Sequence, residues 1–367
     1  MKLWFCLGTA AELIKIFPII DEAQKKNIDW YLISTGQSGI NLWKQYQDFQ
    51  LPNHRIVKLN DSNQDLSNSK MALTWFVKSL FKSKKSIQEK IYNQSSQKVA
   101  SEDYWFIHGD TLSTLLGSIY GRRLNAQVVH IEAGMRSHNI FNPFPEEIAR
   151  RIVSRLSQFH MAPDEFALKN LNNEGISQNV FVTQGNTVMD TLAATLKTIS
   201  PSNNIPDKPF ALANIHRFEN LSSELRWNKC IDTVIKASQK INVVFVIMPN
   251  TENKLKIDGQ TFSKLKQNNI QIISRLPFSE FAHLMNRAQF VITDGGSNQE
   301  ECFHLGKPCL LLRANTERFE GLGECCVLSE FKDEVINLFL ENPIKYLRSP
   351  NVSKIRPTDL VFKYLNL

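Results

Sequence analysis

Short runs of β-branched and aromatic residues alternate along this chain with longer stretches whose apolar residues recur at helical spacing. That alternation is what parallel strands joined by crossover helices require, and it commits the chain to the α/β class. The pattern predicts strands at 3–7, 30–34, 104–108, 128–132 and 180–183, with helices over 11–25, 71–92, 112–124, 146–157 and 164–174. A polar, proline-rich stretch at 200–209 reads as a linker. A second set of strands then follows at 210–214, 243–247, 271–273, 290–293 and 308–312. The expected architecture is two Rossmann-like, doubly wound domains facing a central cleft, one over 1–200 and one over 205–345, with 346–367 packing back on the first.

Composition removes several other classes. Hydrophobic residues at 42% and charged residues at 22% lie near globular averages, so disorder is not expected. The longest apolar stretches, such as 243–248 and 309–312, fall far short of the ~20 residues that cross a bilayer, so no membrane insertion is expected. The apolar start at 3–7 is interrupted by Gly8 and Thr9 and ended by Glu12, which predicts no export signal. The six cysteines form no C-x-x-C pair, which points to free thiols in the cytoplasm rather than to a zinc site or a disulfide framework. The net charge of +7 suits acidic ligands, but the Lys and Arg are dispersed, and no nucleic-acid partner is expected.

In doubly wound sheets the carboxyl ends of strands and the helix N-termini that follow them point toward ligand, so the junctions after strands carry the chemistry. The first, Gly8-Thr9-Ala10-Ala11-Glu12-Leu13-Ile14-Lys15, either holds an anion on free backbone N–H groups or is a tight turn with Glu12 in the first helical turn and Lys15 in solvent. Asp110 in His108-Gly109-Asp110-Thr111 and Glu132 in Glu132-Ala133-Gly134-Met135-Arg136 place two acids at adjacent strand tips, as an acid and base pair or as mere caps. Glu146 and Glu147 open a helix after Pro145, and sit four residues before Arg150 and Arg151, so surface pairing is the plain alternative there. Further on, His216-Arg217-Phe218-Glu219 follows a strand, and Asp294-Gly295-Gly296-Ser297 joins a strand to a helix. The paired glycines, the Ser297 hydroxyl and the helix N-terminus fit a phosphate, with a structural turn as the alternative, and Arg313 and Thr316-Glu317-Arg318 add cations at the same edge.

Taken in order, these motifs resemble the UDP-N-acetylglucosamine 2-epimerases, whose two-domain fold is also that of many nucleotide-sugar glycosyltransferases. The resemblance runs from Gly8-Thr9 and Lys15 through Gly185-Asn186-Thr187-Val188, Gln299-Glu300-Glu301 and Gly306-Lys307-Pro308 to Arg318, nearly the whole chain. It implies interconversion of UDP-N-acetylglucosamine and UDP-N-acetylmannosamine by loss and return of UDP through 2-acetamidoglucal. The alternatives are a hydrolysing relative that releases N-acetylmannosamine and UDP, a related UDP-sugar 2-epimerase, or a glycosyltransferase. By the same resemblance Asp110, Glu132 and Glu146 handle protons and stabilise the ring, and His216 assists UDP departure. Lys15, Arg136, Gly295, Gly296, Ser297 and Arg313 lie around the substrate and its phosphates, Glu301 accepts ribose hydroxyls, and Phe281 stacks on uracil. Sugar chemistry then belongs to the first domain and UDP binding to the second. No nicotinamide or metal cofactor is expected, the partner is a UDP-sugar, and a cytoplasmic homodimer serving capsule or surface-polysaccharide synthesis is implied. The chain departs from the family pattern at Ala10 and Ala11, where Arg and Pro are usual, at Phe218, at Gly295-Gly296-Ser297 in place of Ser-Gly-Gly, and at Gln37-Ser38-Gly39 in place of Gln-His-Arg.

Overall fold

The computed structural model describes residues 1–60, 69–137, 146–197, 205–316, 318–350 and 355–367. The chain divides into two compact units, Met1–Thr191 with Lys354–Leu367, and Leu192–Ser353. Half of the expected linker, 200–204, lies outside the described residues.

The first unit is built on β1 (Leu3–Leu7), β2 (Trp30–Ser34), β3 (Ile56–Lys58), β4 (Tyr104–His108), β5 (Gln127–Ile131), β6 (Phe159–Ala162) and β7 (Val180–Val182). All pair in parallel, in the order β3-β2-β1-β4-β5-β6-β7. A parallel sheet is covered on both faces, which is why LWFCL runs apolar without a polar break. Leu3, Phe5 and Leu7 enter one core with Leu13, Ile16 and Ile20 of the helix Ala10–Lys25. Trp4 and Cys6 enter the other with Trp105, Leu116 and Tyr120. Each such aromatic, taken wholly out of water, contributes about 1.5–3 kcal/mol before entropy is charged. The C-terminal helix Pro357–Leu365 lays Val361, Phe362 and Leu365 on the first of these cores, and Asp190 accepts from the Thr358 backbone N–H at 2.8 Å.

The second unit repeats the theme with β8 (Phe210–Asn214), β9 (Asn242–Ile247), β10 (Gln271–Ser274), β11 (Val291–Thr293), β12 (Cys309–Leu311) and β13 (Cys326–Leu328), in the order β10-β9-β8-β11-β12-β13. Strand direction is again parallel throughout. In each sheet the winding reverses once, between β1 and β4 and between β8 and β11. At such reversals the outgoing loops splay apart at the carboxyl ends, leaving room for a ligand.

Four sequence expectations need correction. The single helix expected over 71–92 is two, Ser69–Leu80 and Lys84–Ser95, because Ser83 leaves the helical conformation and its hydroxyl caps the second at Ser86 N. Strands β3, β6 and β13 were not expected. Two are three residues long, and His160 interrupts the apolar run of the third.

Candidate active site

At the reversal of the first sheet, Gly8-Thr9 follows β1 and Gly109-Asp110-Thr111 follows β4. The backbone N–H groups of Gly8 and Thr9 are not left for an anion. Glu12 takes both with Oε2 at 2.8 and 2.7 Å, and its Oε1 accepts from the hydroxyls of Thr111 and Thr114 at 2.7 and 3.0 Å. Thr9 closes the reciprocal cap. The anion reading of this turn therefore gives way to the internal one, and Glu12 ties the loops after β1 and β4 together. Lys15, one turn further on, is not in solvent. It is buried, with Nζ 2.7 Å from Glu132 Oε2.

Glu132 itself follows β5 with φ at +64°, a left-handed conformation that a β-carbon disfavours by roughly 1–2 kcal/mol. Its Oε2 lies 2.7 Å from Lys15 Nζ and 3.0 Å from His108 Nε2, and its side chain is 9% exposed. A strained backbone thus delivers a buried carboxylate to the Lys15 ammonium and the His108 ring, the combination of strain and burial that makes Glu132 a candidate functional acid.

Asp110 is held by Arg150, whose Nε and Nη2 reach Oδ2 at 2.9 and 2.6 Å. Burial works against the charge on Arg150, yet Asp110 and then Glu147 raise its pKa above the ordinary guanidinium value. The adjacent acids of the helix Glu146–Leu156 divide their work. Glu147 is fully buried and serves Ser137 N at 3.0 Å, Arg150 Nη1 at 3.2 Å and Arg151 Nε at 3.3 Å. The pairing with Arg150 and Arg151 thus belongs to Glu147, while Oε2 of Glu146 is buried with no hydrogen-bond partner among the described residues. The preceding Pro143-Phe144-Pro145 lies outside those residues. Arg136 is spoken for: Nε and Nη2 grip Glu174 at 2.9 Å each, Nη2 reaches Ser154 Oγ at 3.0 Å, and Nη1 donates to the Met135 carbonyl at 2.7 Å.

Behind these acids, His130 and His160 are register partners on β5 and β6, and His130 Nε2 bonds the Gly109 carbonyl at 2.8 Å. Burial, partly opposed by that bond, pushes His130 down to about 3, and burial with the charge of Arg136 takes His160 to about 4. Both are neutral in the folded protein at pH 7, whereas in an unfolded chain each binds a proton near pH 6.5. Folding stability is therefore whole above about pH 6.5, and these two groups withdraw up to about 1.4 kcal/mol per pH unit each as pH falls from there toward 4. Urea midpoints are expected to drop between pH 7 and pH 5, and the His130→Asn/His160→Asn double variant is expected to flatten the drop. An unchanged slope in that variant would refute the assignment.

In the second unit, His216 and Arg217 follow β8 and Asp294 follows β11, across the reversal. Sequence reasoning gave no role to Asp294, which is wholly buried and organises this edge. Oδ1 accepts from His216 N at 2.9 Å, and Oδ2 accepts from Arg217 N and Asn220 Nδ2 at 3.0 Å each. The His216 ring lies alongside, with Nδ1 3.4 Å from Oδ1. Burial lowers the His216 pKa, the Asp294 charge opposes that, and Arg217 and Arg275 add to the lowering. Gly295 has to be glycine here, since a β-carbon on it would stand 2.8 Å from His216 Cε1 and 2.9 Å from Asn298 Oδ1. Gly296 begins the helix Gly296–Leu305, Ser297 is exposed in its first turn, and Glu301 accepts from Asn298 Nδ2 at 3.0 Å. Gln299, a second residue given no role, is wholly buried. It donates to the carbonyls of Arg318 and Glu320 at 3.1 and 3.0 Å and accepts from Thr316 at 2.9 Å, pinning the loop after β12. Arg313, in that loop, reaches Thr316 Oγ1 at 3.3 Å, and Glu317 lies outside the described residues. Phe281 is half-buried on the helix Phe278–Arg287.

Among the described residues no His, Cys, Asp or Glu cluster has the arrangement of a metal site, and no helix is long and apolar enough to cross a membrane. Comparison with known proteins places this architecture. Residues 21–337 match the family model for UDP-N-acetylglucosamine 2-epimerase. The UDP-N-acetylglucosamine 2-epimerase of Methanocaldococcus jannaschii is 32% identical over 352 residues, covering 92% of this chain and 90% of that one. The crystal structure of the M. jannaschii enzyme in complex with UDP-GlcNAc and UDP superposes with a TM-score of 0.79 at 29% identity, over 100% of both chains. That of the Neisseria meningitidis enzyme bound to UDP-GlcNAc also gives 0.79, at 26% identity and 100% coverage of both. With the family model spanning both sheets and a relative above 30% identity along nearly the whole length, the chain belongs to the UDP-N-acetylglucosamine 2-epimerase family.

Proposed function

We propose that this chain is an isomerase that interconverts UDP-N-acetylglucosamine and UDP-N-acetylmannosamine. The observation that carries the reading furthest is the buried, backbone-strained Glu132 carboxylate set between Lys15 and His108. The chemistry demands such a group. Hydrogen at sugar carbon 2 has no neighbouring carbonyl to acidify it, so the bond from carbon 1 to the UDP oxygen must break first and leave positive character on the ring. A carboxylate then removes the carbon 2 proton, the electron pair closes the carbon 1–carbon 2 double bond, and 2-acetamidoglucal and UDP stand side by side. Protonation of carbon 2 from the opposite face, with return of the UDP oxygen to carbon 1, gives the epimer.

Glu132, Asp110 and Glu146 are our candidates for these proton transfers and for stabilising the ring, and Oε2 of Glu146 has no hydrogen-bond partner among the described residues. His216, oriented by Asp294, assists UDP departure. Gly296, exposed Ser297 and Arg313 hold the diphosphate, with the helix N-terminus contributing about half a positive charge. Glu301 receives the ribose hydroxyls and Phe281 stacks on uracil. Lys15 and Arg136 act by holding Glu132 and the segment after β5 in place. The homodimer that the family resemblance implies has support in exposed Leu73, Val77 and Phe81 on and just beyond the helix Ser69–Leu80. A cytoplasmic setting has support in the six free thiols.

Incubation with UDP-N-acetylglucosamine in deuterated water, followed by proton NMR, tests the reading. Deuterium at carbon 2 of both recovered and product sugar is expected. UDP-N-acetylmannosamine as the product identifies re-addition, whereas free N-acetylmannosamine with UDP identifies the hydrolysing outcome. Absence of label at carbon 2 rejects both, and transfer of the sugar to an acceptor without exchange would make the chain a glycosyltransferase.

A further inference from the structure

Four of the six cysteines gather in the second unit, where the proposed chemistry makes no use of them. Cys309 on β12 and Cys326 on β13 are register partners in a parallel pair, so their side chains leave the sheet on the same face. Neighbouring strands lie about 4.8 Å apart, inside the roughly 4.4–6.8 Å separation of α-carbons that a disulfide spans. Cys302, on the helix Gly296–Leu305, is electrostatically coupled to Cys309, and Cys325 Sγ lies 3.7 Å from Cys326 Sγ. All four are buried. Gly321, at φ +70°, makes room for the sulfurs: a β-carbon there would stand 2.8 Å from Cys325 Sγ and 2.9 Å from Cys326 Sγ. A row of adjacent sulfurs with the backbone drawn aside for it is more than a scatter of small apolar residues requires.

The cluster also has an approach from outside. Phe303, Glu324, Cys325, Arg348, Ser349 and Pro350 line a pocket of about 330 Å³, and Cys325, one of its lining residues, has its sulfur 3.7 Å from that of Cys326. Cys326 is the sulfur in contact both with Cys325, at 3.7 Å, and with the Gln299 carbonyl. In its thiol form it donates to the Gln299 carbonyl at 3.6 Å, but hydrogen bonds from Cys309 and then Cys325 bring its pKa down to about 5 against the effect of burial. The same contacts push Cys309 and Cys325 up. Strand β13 is only three residues long and ends the sheet, so it can close on β12 without breaking a ladder on its far side.

We propose that Cys309 and Cys326 are an oxidation site, converted to a disulfide by hydrogen peroxide that enters through the pocket lined by Cys325. The Cys326 thiolate attacks one peroxide oxygen. The S–O bond forms, the O–O bond breaks, and hydroxide leaves and is protonated to water. The Cys309 sulfur then attacks the sulfur of the Cys326 sulfenic acid, the S–S bond forms, and the hydroxide expelled takes the Cys309 proton as a second water. Two thiols are oxidised by two electrons and one peroxide is reduced to two waters. The step is independent of which sugar the protein takes.

The test uses the folded, full-length protein, treated with hydrogen peroxide, alkylated and digested with trypsin. Residues 288–313 carry Cys302 and Cys309, and residues 319–332 carry Cys325 and Cys326. A linked pair of these peptides, lighter than their sum by two hydrogens, is expected, with fragmentation placing the bond at Cys309 and Cys326. Dithiothreitol should remove it, Cys309→Ser should abolish it, and Cys302→Ser and Cys230→Ser should retain it. Absence of the linked pair from the oxidised native protein, persistence of it in Cys309→Ser, or oxidation confined to Cys325 would each overturn the proposal, and the first and last of these need no variant to fold.

Discussion

Glu132→Gln is expected to lower turnover about 1,000-fold, within the range of roughly 10²–10⁴ that positioned proton transfer contributes, with little change in KM. The amide keeps the shape of the side chain and can still accept from Lys15, so binding is largely spared while the proton acceptor is lost. The substitution also leaves the buried Lys15 ammonium without a countercharge. Removing one partner of a buried ion pair costs about 3–5 kcal/mol, so a fall in the urea midpoint should accompany the kinetic loss. The Lys15→Met/Glu132→Gln double variant separates the two effects, because it takes the stranded charge away. Stability should largely return in the double variant and turnover should not. If the single variant keeps more than about a tenth of wild-type turnover, against the 10²–10⁴ expected of a proton-transfer group, Glu132 is a structural carboxylate and the catalytic assignment moves to Asp110 or Glu146. Carbon 2 deuterium exchange, measured beside turnover, reads the proton step itself.

Much of this was legible in the sequence for one physical reason. In parallel sheets the strands are unbroken apolar runs, so an acid that ends such a run stands at the carboxyl edge where ligands bind. Asp110 after YWFIH and Glu132 after QVVHI were found in this way. The same logic cannot sort neighbours within a helix. Glu146 and Glu147 are both in the first turn and both near Arg150 and Arg151, and only the fold reveals that Glu147 clamps Ser137, Arg150 and Arg151 while one Glu146 oxygen has no partner among the described residues. At the Gly8-Thr9 turn the sequence left an anion site and a tight turn side by side, and the fold selects the turn because the anion that fills it is the chain's own Glu12. Asp294 was named in its junction but given no role, because its partners His216, Arg217 and Asn220 lie 78, 77 and 74 residues away, beyond any local pattern, although an acid following the apolar β11 was the signal available. Strands of three residues and a strand holding a buried histidine are likewise set by their neighbours in the sheet, not by their own composition.

Asp294→Asn is the sharper probe of the second unit, because the role proposed for Asp294 is to position His216, and on that proposal its effect passes through His216. As a carboxylate it receives three N–H donors. An asparagine has one oxygen and turns an N–H₂ toward at least one of those donors, leaving a buried donor unsatisfied at a cost of about 1–3 kcal/mol. The loop carrying His216 and Arg217 then shifts, and a displacement of an ångström at a reacting group costs about 100-fold in rate. A fall in kcat of at least that order is therefore expected. The pH profile distinguishes lost positioning of His216 from general damage. Burial lowers the His216 pKa and the Asp294 charge works the other way, so removing that charge lowers the pKa further. In the proposed role protonated His216 donates to departing UDP, and on that proposal the alkaline limb of kcat should move to lower pH in Asp294→Asn. His216→Asn should lose the limb altogether. A variant with reduced kcat and an unmoved alkaline limb would mean that Asp294 supports the fold alone and that His216 takes no proton-donating part in the departure of UDP.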